Sequence, residues 1–143
     1  MDLALEDACA AADRGEVPVG AVVVDANGSI LARAGNRTLE LRDPTAHAEV
    51  LALRAAAAAL GSERLSDCDL YVTLEPCAMC AGAISFARIR RLYFGASDPK
   101  GGAVEHGPLF FSQPTCHHAP EIYGGIGETA ASSLLRDFFA ARR

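Results

Sequence analysis

No apolar run in this chain approaches the roughly 20 residues that a membrane-spanning helix requires, although half of its residues are hydrophobic. A secretory leader is not expected either, because Met1-Asp2-Leu3-Ala4-Leu5-Glu6 is acidic and amphipathic, unlike a signal peptide with a basic start. Cysteine is sparse and odd in number, with five residues in 143, so a disulfide framework is not expected and a reducing cytosol fits best. Positive charge is in deficit. Thirteen Lys and Arg against 18 Asp and Glu leave a net charge of −5, which argues against a general nucleic-acid coat protein. A local basic patch around one pocket is still compatible with that total. There is no internal repeat and no low-complexity linker, and the length fits one domain spanning residues 1–143, large enough to bury a core without disulfides.

What the chain does contain is a metal-ligand pattern in two pieces, Thr45-Ala46-His47-Ala48-Glu49 and Glu75-Pro76-Cys77-Ala78-Met79-Cys80. Cys77 and Cys80 are three apart, so on a helix they share a face and can grip one ion. Pro76 suits the first helical position because it has no amide hydrogen to leave unpaired. Thiols in a first turn are favoured as thiolates by the helix dipole and the free N–H groups. Asp43-Pro44-Thr45 supplies a second helix start, with a capping side chain followed by a proline. His47 and Glu49 then sit where residues two apart can still converge on one target. One histidine and two cysteines make the three-ligand zinc pattern that leaves a fourth position for water. The alternative is a closed structural site, its fourth ligand drawn from Cys9, Cys68, Cys116, His106, His117 or His118. That reading gives a glutamate two residues after the histidine nothing to do.

The rest of the chain alternates strand and helix signals. Leu3, Leu5, Ala8, Cys9 and Ala12 mark the inward stripe of a first helix that Arg14-Gly15 ends, with Cys9 a small buried hydrophobe. Val17 to Val24 reads as a central strand, and Asn27-Gly28 predicts a hairpin returning over Ser29 to Gly35. Ala46 to Leu60 is an alanine-rich helix closed by Gly61. Asp69 to Leu74 is a buried strand running into a cysteine helix over Cys77 to Ala87, and Arg91 to Gly95 is a fourth strand. The stretch from Ala96 to Pro120 is irregular, Ile122-Tyr123 marks a short fifth strand, and Thr129 to Arg142 is an amphipathic helix. Cys116-His117-His118 is read as an ordinary loop. The expected architecture is a three-layer α/β/α sandwich around a mixed five-stranded sheet, with ligands at strand–helix junctions on one sheet edge.

The spacing H-x-E…P-C-x-x-C resembles the signature of zinc-dependent nucleobase deaminases. The resemblance extends along almost the whole chain to bacterial tRNA-specific adenosine deaminases of the cytidine deaminase superfamily. It is carried by Asn36-Arg37 with Asp43 to Glu49, by Leu70 to Ala83, by Arg88-Ile89 and Phe94-Gly95-Ala96, by Asp98, Lys100 and Gly102-Ala103, and by Leu134 to Phe139. Val104-Glu105-His106-Gly107 departs from the small Gly-Ser turn common in that family.

The resemblance implies a cytidine-deaminase-like fold holding one Zn²⁺ per subunit on His47, Cys77 and Cys80. Glu49 would be the catalytic proton carrier, and Asn36, Ala48, Asp98, Lys100 and Phe138 the substrate contacts. It implies hydrolytic conversion of adenosine to inosine at the wobble position of a tRNA anticodon stem-loop, by a cytoplasmic homodimer not associated with membranes. Ile84, Phe86 and Ile89 would serve as its apolar dimer face. Arg88, Arg90 and Arg91 could draw phosphates, the blander reading being a solvated helix end. Two other readings remain: a free-base or nucleoside deaminase of guanine or cytosine type, and a non-catalytic zinc-stabilised binding module.

Overall fold

The structure is a computed structural model that describes residues 1–143. Its centre is a five-stranded sheet in the order β2-β1-β3-β4-β5. The strands are β1 (Gly20–Val24), β2 (Ile30–Gly35), β3 (Asp69–Leu74), β4 (Arg91–Ala96) and β5 (Glu121–Tyr123). β1 is antiparallel to both β2 and β3, whereas β3–β4 and β4–β5 are parallel, so the sheet is mixed as expected. The hairpin forms where Asn27-Gly28 predicts it. Gly28 takes φ +79°, and the Asp25 carboxylate accepts the N–H groups of Asn27 and Ser29, each at 2.9 Å, which closes the turn.

Helices α1 (Asp2–Asp13) and α4 (Glu128–Ala140) pack on one face of the sheet, and α2 (Ala48–Leu60) and α3 (Ala78–Ala87) form the other layer. This is the three-layer sandwich. Its core joins Leu70, Val72, Leu92 and Phe94 from the sheet to Leu53, Ala56, Ile84 and Ile89 from the α2/α3 side. Phe94 has no exposed surface, and truncating such a side chain to alanine costs about 3–5 kcal/mol. No helix is long and apolar enough to cross a membrane.

Several local expectations are corrected. The inward stripe of α1 is Ala4, Ala8 and Ala11, not the leucine stripe, and Cys9 is exposed. The reason lies in β1. A Cβ on Gly20 would run into the Ala4 carbonyl oxygen and come within 2.7 Å of the Ala8 nitrogen, so helix and strand backbones touch and only small residues fit between them. The strand after Val17-Pro18 begins only at Gly20. Pro76 and Pro44 both precede their helices: Cys77 is the N-cap of α3 and His47 the N-cap of α2. Gly61 closes α2 in the left-handed conformation at φ 64°, as its position suggests.

Tyr71, Tyr93 and Tyr123 occupy one register across β3, β4 and β5. Their rings stack in a row, with centroids 4.5 Å and 5.0 Å apart.

Candidate active site

Two helix starts meet at the carboxyl end of β3. His47 at the N-cap of α2, Cys77 at the N-cap of α3 and Cys80 in its first turn bring their ligand atoms within 4.8 Å of one another. The His47 Nδ1 lies 3.6 Å from Cys77 Sγ and 3.4 Å from Cys80 Sγ. Hydrogen bonds from Cys80 and His47 hold the Cys77 thiol down to about 4, against the upward push of its burial. The Cys80 thiol is pushed up, first by its hydrogen bond to Cys77 and then by burial. The hydrogen bond to Cys77 raises His47. One imidazole nitrogen and two sulfurs at this spacing fit a borderline-soft ion of zinc type with an open position.

Glu49 follows in the first turn of α2 and is 4 % exposed. Burial raises its carboxyl above the usual range. It lines a cavity of about 230 Å³ together with His47, Cys77, Asn36, Glu75 and Asp98. Asn36 is placed by its side-chain oxygen, which accepts the Ala48 N–H at 2.9 Å. Its amide NH₂ is left to face the cavity.

The structure therefore brings together His47, Cys77, Cys80, Glu49, Asn36 and Asp98. It separates three other residues from the cavity. Ala48 is fully buried and its N–H is taken by Asn36, which leaves it nothing to offer a ligand. Lys100 stands on an exposed turn outside the cavity. Phe138 is 8 % exposed and turned inward, with the Arg142 guanidinium 3.4 Å from its ring centroid, while its neighbour Phe139 is 47 % exposed. Adjacent helix positions point about 100° apart, so only one of the pair can face out.

Two of the three clustered arginines are paired with carboxylates, whereas Arg88 donates only to the His117 carbonyl at 3.2 Å. Arg90 is held by Asp69 through two hydrogen bonds of 2.9 and 3.0 Å, and Arg91 by Glu121 at 3.0 Å. Cys116-His117-His118 is a loop, not a second metal centre: the Ser85 hydroxyl and the Cys116 thiol both donate to the His118 carbonyl, and His118 Nε2 donates to the Ile89 carbonyl.

Two buried glutamates shape the surroundings of the site: Glu16, which no motif marks, and Glu75, which heads the cysteine motif but has no role in the sequence reading. Glu16 accepts the N–H groups of Leu39 (3.2 Å) and Glu40 (2.9 Å) and pins the loop after Asn36. Glu75 does the same for the segment after β4. A charge directly abutting an apolar strand, as Glu75 abuts Leu70 to Leu74, is the signal that could have found the second.

Comparison with known proteins agrees with this geometry. Residues 1–96 match the cytidine and deoxycytidylate deaminase zinc-binding region. The whole chain is 63 % identical to the tRNA-specific adenosine deaminase of Agrobacterium fabrum, covering 93 % of that protein. The chain belongs to the tRNA-specific adenosine deaminase family. Members of the family include the Rickettsia bellii protein of the same name, 47 % identical over 97 % of both chains. A solved tRNA:A34 deaminase, studied for A-to-I editing at the wobble position, superposes with a TM-score of 0.93 at 64 % identity, over 94 % of this chain and 97 % of that one. A guanine deaminase from Nitrosomonas europaea shares the fold at a TM-score of 0.84 but only 27 % identity, over 97 % of this chain and 82 % of that one. Zinc is the metal of this deaminase family, and the His47, Cys77, Cys80 donor set fits it.

Proposed function

We propose that this chain converts adenosine to inosine at the wobble position of a tRNA anticodon, with His47, Cys77 and Cys80 as zinc ligands and Glu49 as the proton carrier. The supporting observation is Glu49 buried at the cavity that His47 and Cys77 line, with Cys80 close beside them, in a chain whose full length follows the tRNA-specific adenosine deaminases.

His47, Cys77 and Cys80 would hold the zinc, which when bound would lower the pKa of a water to about 7 and so supply a nucleophile at neutral pH. Glu49 takes one proton from the attacking water and passes it to N1 of the adenine ring as the new bond forms at C6. The same carboxylate then takes the second proton from the new C6 hydroxyl and delivers it to the amine, so the C6–N bond breaks as the C6 carbonyl forms and adenosine plus water become inosine plus ammonia. Burial, which makes Glu49 hold a proton more readily than an exposed carboxylate, suits this relay. The Asn36 amide donates to the nucleoside and orients it. Asp98 forms part of the cavity wall, and Lys100, on its exposed turn, meets the RNA backbone.

The protein acts as a homodimer in the cytosol, where its five cysteines, none of them in a disulfide, stay reduced. The expected apolar face shrinks to one anchor. Ile84 and Ile89 lie in the protein's own core at 0 % exposure, while Phe86 is 74 % exposed beside a groove between α2 and α3 lined by Val50, Leu53 and Ala57.

The test is incubation of zinc-loaded protein with an anticodon stem-loop RNA carrying an unpaired adenosine, and separately with free guanine, cytosine and adenosine, following inosine and ammonia. Inosine in the RNA with the free bases untouched is the expected result. Ammonia from free guanine alone would favour the activity suggested by the shared guanine-deaminase fold.

A further inference from the structure

Glu75 belongs to the cavity wall, and its side chain has no exposed surface. Its Oε1 accepts the N–H of Asp98 at 3.0 Å and faces His106 Nδ1 at 2.8 Å. Its Oε2 accepts the N–H groups of Val104 (3.1 Å), Glu105 (3.0 Å) and His106 (3.2 Å). One carboxylate thus ties together both ends of the segment 98–106. Between the ends the chain is closed on itself: Gly102 donates to the Asp98 carbonyl at 2.8 Å, and Asp98 Oδ1 accepts the N–H of Gly101 at 2.9 Å. Gly102 is required there, because a Cβ would strike Glu75 Oε2 and approach the Asp98 carbonyl oxygen to 2.5 Å. Asp98 and Gly101 are the part of this segment that lines the cavity.

Four of the five contacts to Glu75 come from backbone N–H groups that most side chains would leave in place. His106 supplies the fifth, and it is the only one that depends on side-chain identity. It falls in Val104-Glu105-His106-Gly107, where this chain departs from a small Gly-Ser turn. Because an ionised carboxylate can only accept, His106 donates from Nδ1. Without that donor, Oε1 of a buried charge keeps a single partner, Asp98, and it is Asp98 that forms the cavity wall.

We propose that Glu75 and His106 form a clamp that holds the segment 98–106 in its substrate-receiving conformation, with His106 a positioning residue that does not touch substrate. The substrate side of this inference rests on the tRNA-deaminase reading; the clamp itself is defined by the order of the segment.

The test compares full-length, zinc-loaded wild type, H106A and H106N. It reads hydrogen–deuterium exchange across residues 98–106 and steady-state deamination of the anticodon stem-loop. In H106A these amides exchange about tenfold faster while those of α2 and β3 do not change, and KM rises about tenfold with kcat held within about twofold, the scale of one lost charge-assisted hydrogen bond. H106N, whose amide N–H can take the place of Nδ1–H, restores both readouts. Unchanged exchange in H106A, or a loss that H106N does not restore, overturns the clamp. A wild-type protein that leaves the RNA unmodified overturns the substrate reading instead, and the exchange measurement still decides the clamp.

Discussion

The Asn36 side-chain oxygen accepts the backbone N–H of Ala48 across 2.9 Å, so the residue just past β2 also fixes the first turn of α2. One amide therefore has two separable jobs. Its oxygen holds the helix that carries Glu49, and its NH₂ faces the cavity. Asn36→Asp keeps the acceptor and removes the donor. That variant is expected to bind zinc and melt near the wild-type temperature while kcat/KM on the stem-loop RNA falls about a hundredfold, the cost of leaving a buried polar group of the substrate unmatched. Asn36→Ala loses the acceptor as well and should cost a further 1–3 kcal/mol or so in stability, read by urea unfolding.

Glu49→Gln separates proton transfer from metal binding. The isosteric amide cannot shuttle a proton, so turnover should drop by about 10²–10⁴-fold. Metal analysis of the same preparation should still return one zinc per chain. Wild-type turnover in a zinc-loaded Glu49→Gln protein would remove Glu49 from the mechanism.

Chelation with a strong zinc ligand should abolish deamination and lower the melting temperature, because a metal that binds only the native site stabilises it. Restoring zinc in stoichiometric amount should recover both. A chelated protein that stays fully active would show that His47, Cys77 and Cys80 hold no essential metal.

Asp43 gives a pH-dependent prediction. The Thr45 hydroxyl at 2.7 Å and the Thr45 N–H at 2.8 Å hold its carboxyl below the usual value. A carboxyl whose folded pKa is depressed adds stability that is complete above its unfolded value of about 3.9 and disappears as pH falls through the folded one. Asp43→Asn should therefore melt below wild type at pH 7, and the gap between the two should close in acid below about pH 4. Melting curves across that range check it; a gap that does not change with pH would rule it out.

Phe86→Glu tests the dimer. Placing a charge on the most exposed large aromatic of the chain should shift sedimentation from dimer to monomer without unfolding the protein, since Phe86 contributes little to the core. A variant that remains dimeric would move the interface elsewhere.

The metal triad was legible in the sequence because its geometry is local: three ligands at two helix starts, with the spacing itself setting the face. The strands were legible for a similar reason, since β3 is read to the residue from a β-branched, apolar run ending at a charge. Contacts that depend on distant backbone were not legible. The inward face of α1 is alanine because Gly20 lets the helix touch the sheet, a pairing that no hydrophobic periodicity reports. The pairing of Arg90 with Asp69 and of Arg91 with Glu121, both partners remote in sequence, could not be read from the run Arg88, Arg90 and Arg91. Glu16 and Glu75 resemble surface charges in the sequence, and only the folded chain shows the loops they hold.

The row of Tyr71, Tyr93 and Tyr123 has a practical consequence. The chain has three tyrosines and no tryptophan, so its intrinsic tyrosine emission comes from that single stack. A melt followed by tyrosine fluorescence therefore reports on the packing of β3, β4 and β5 against one another.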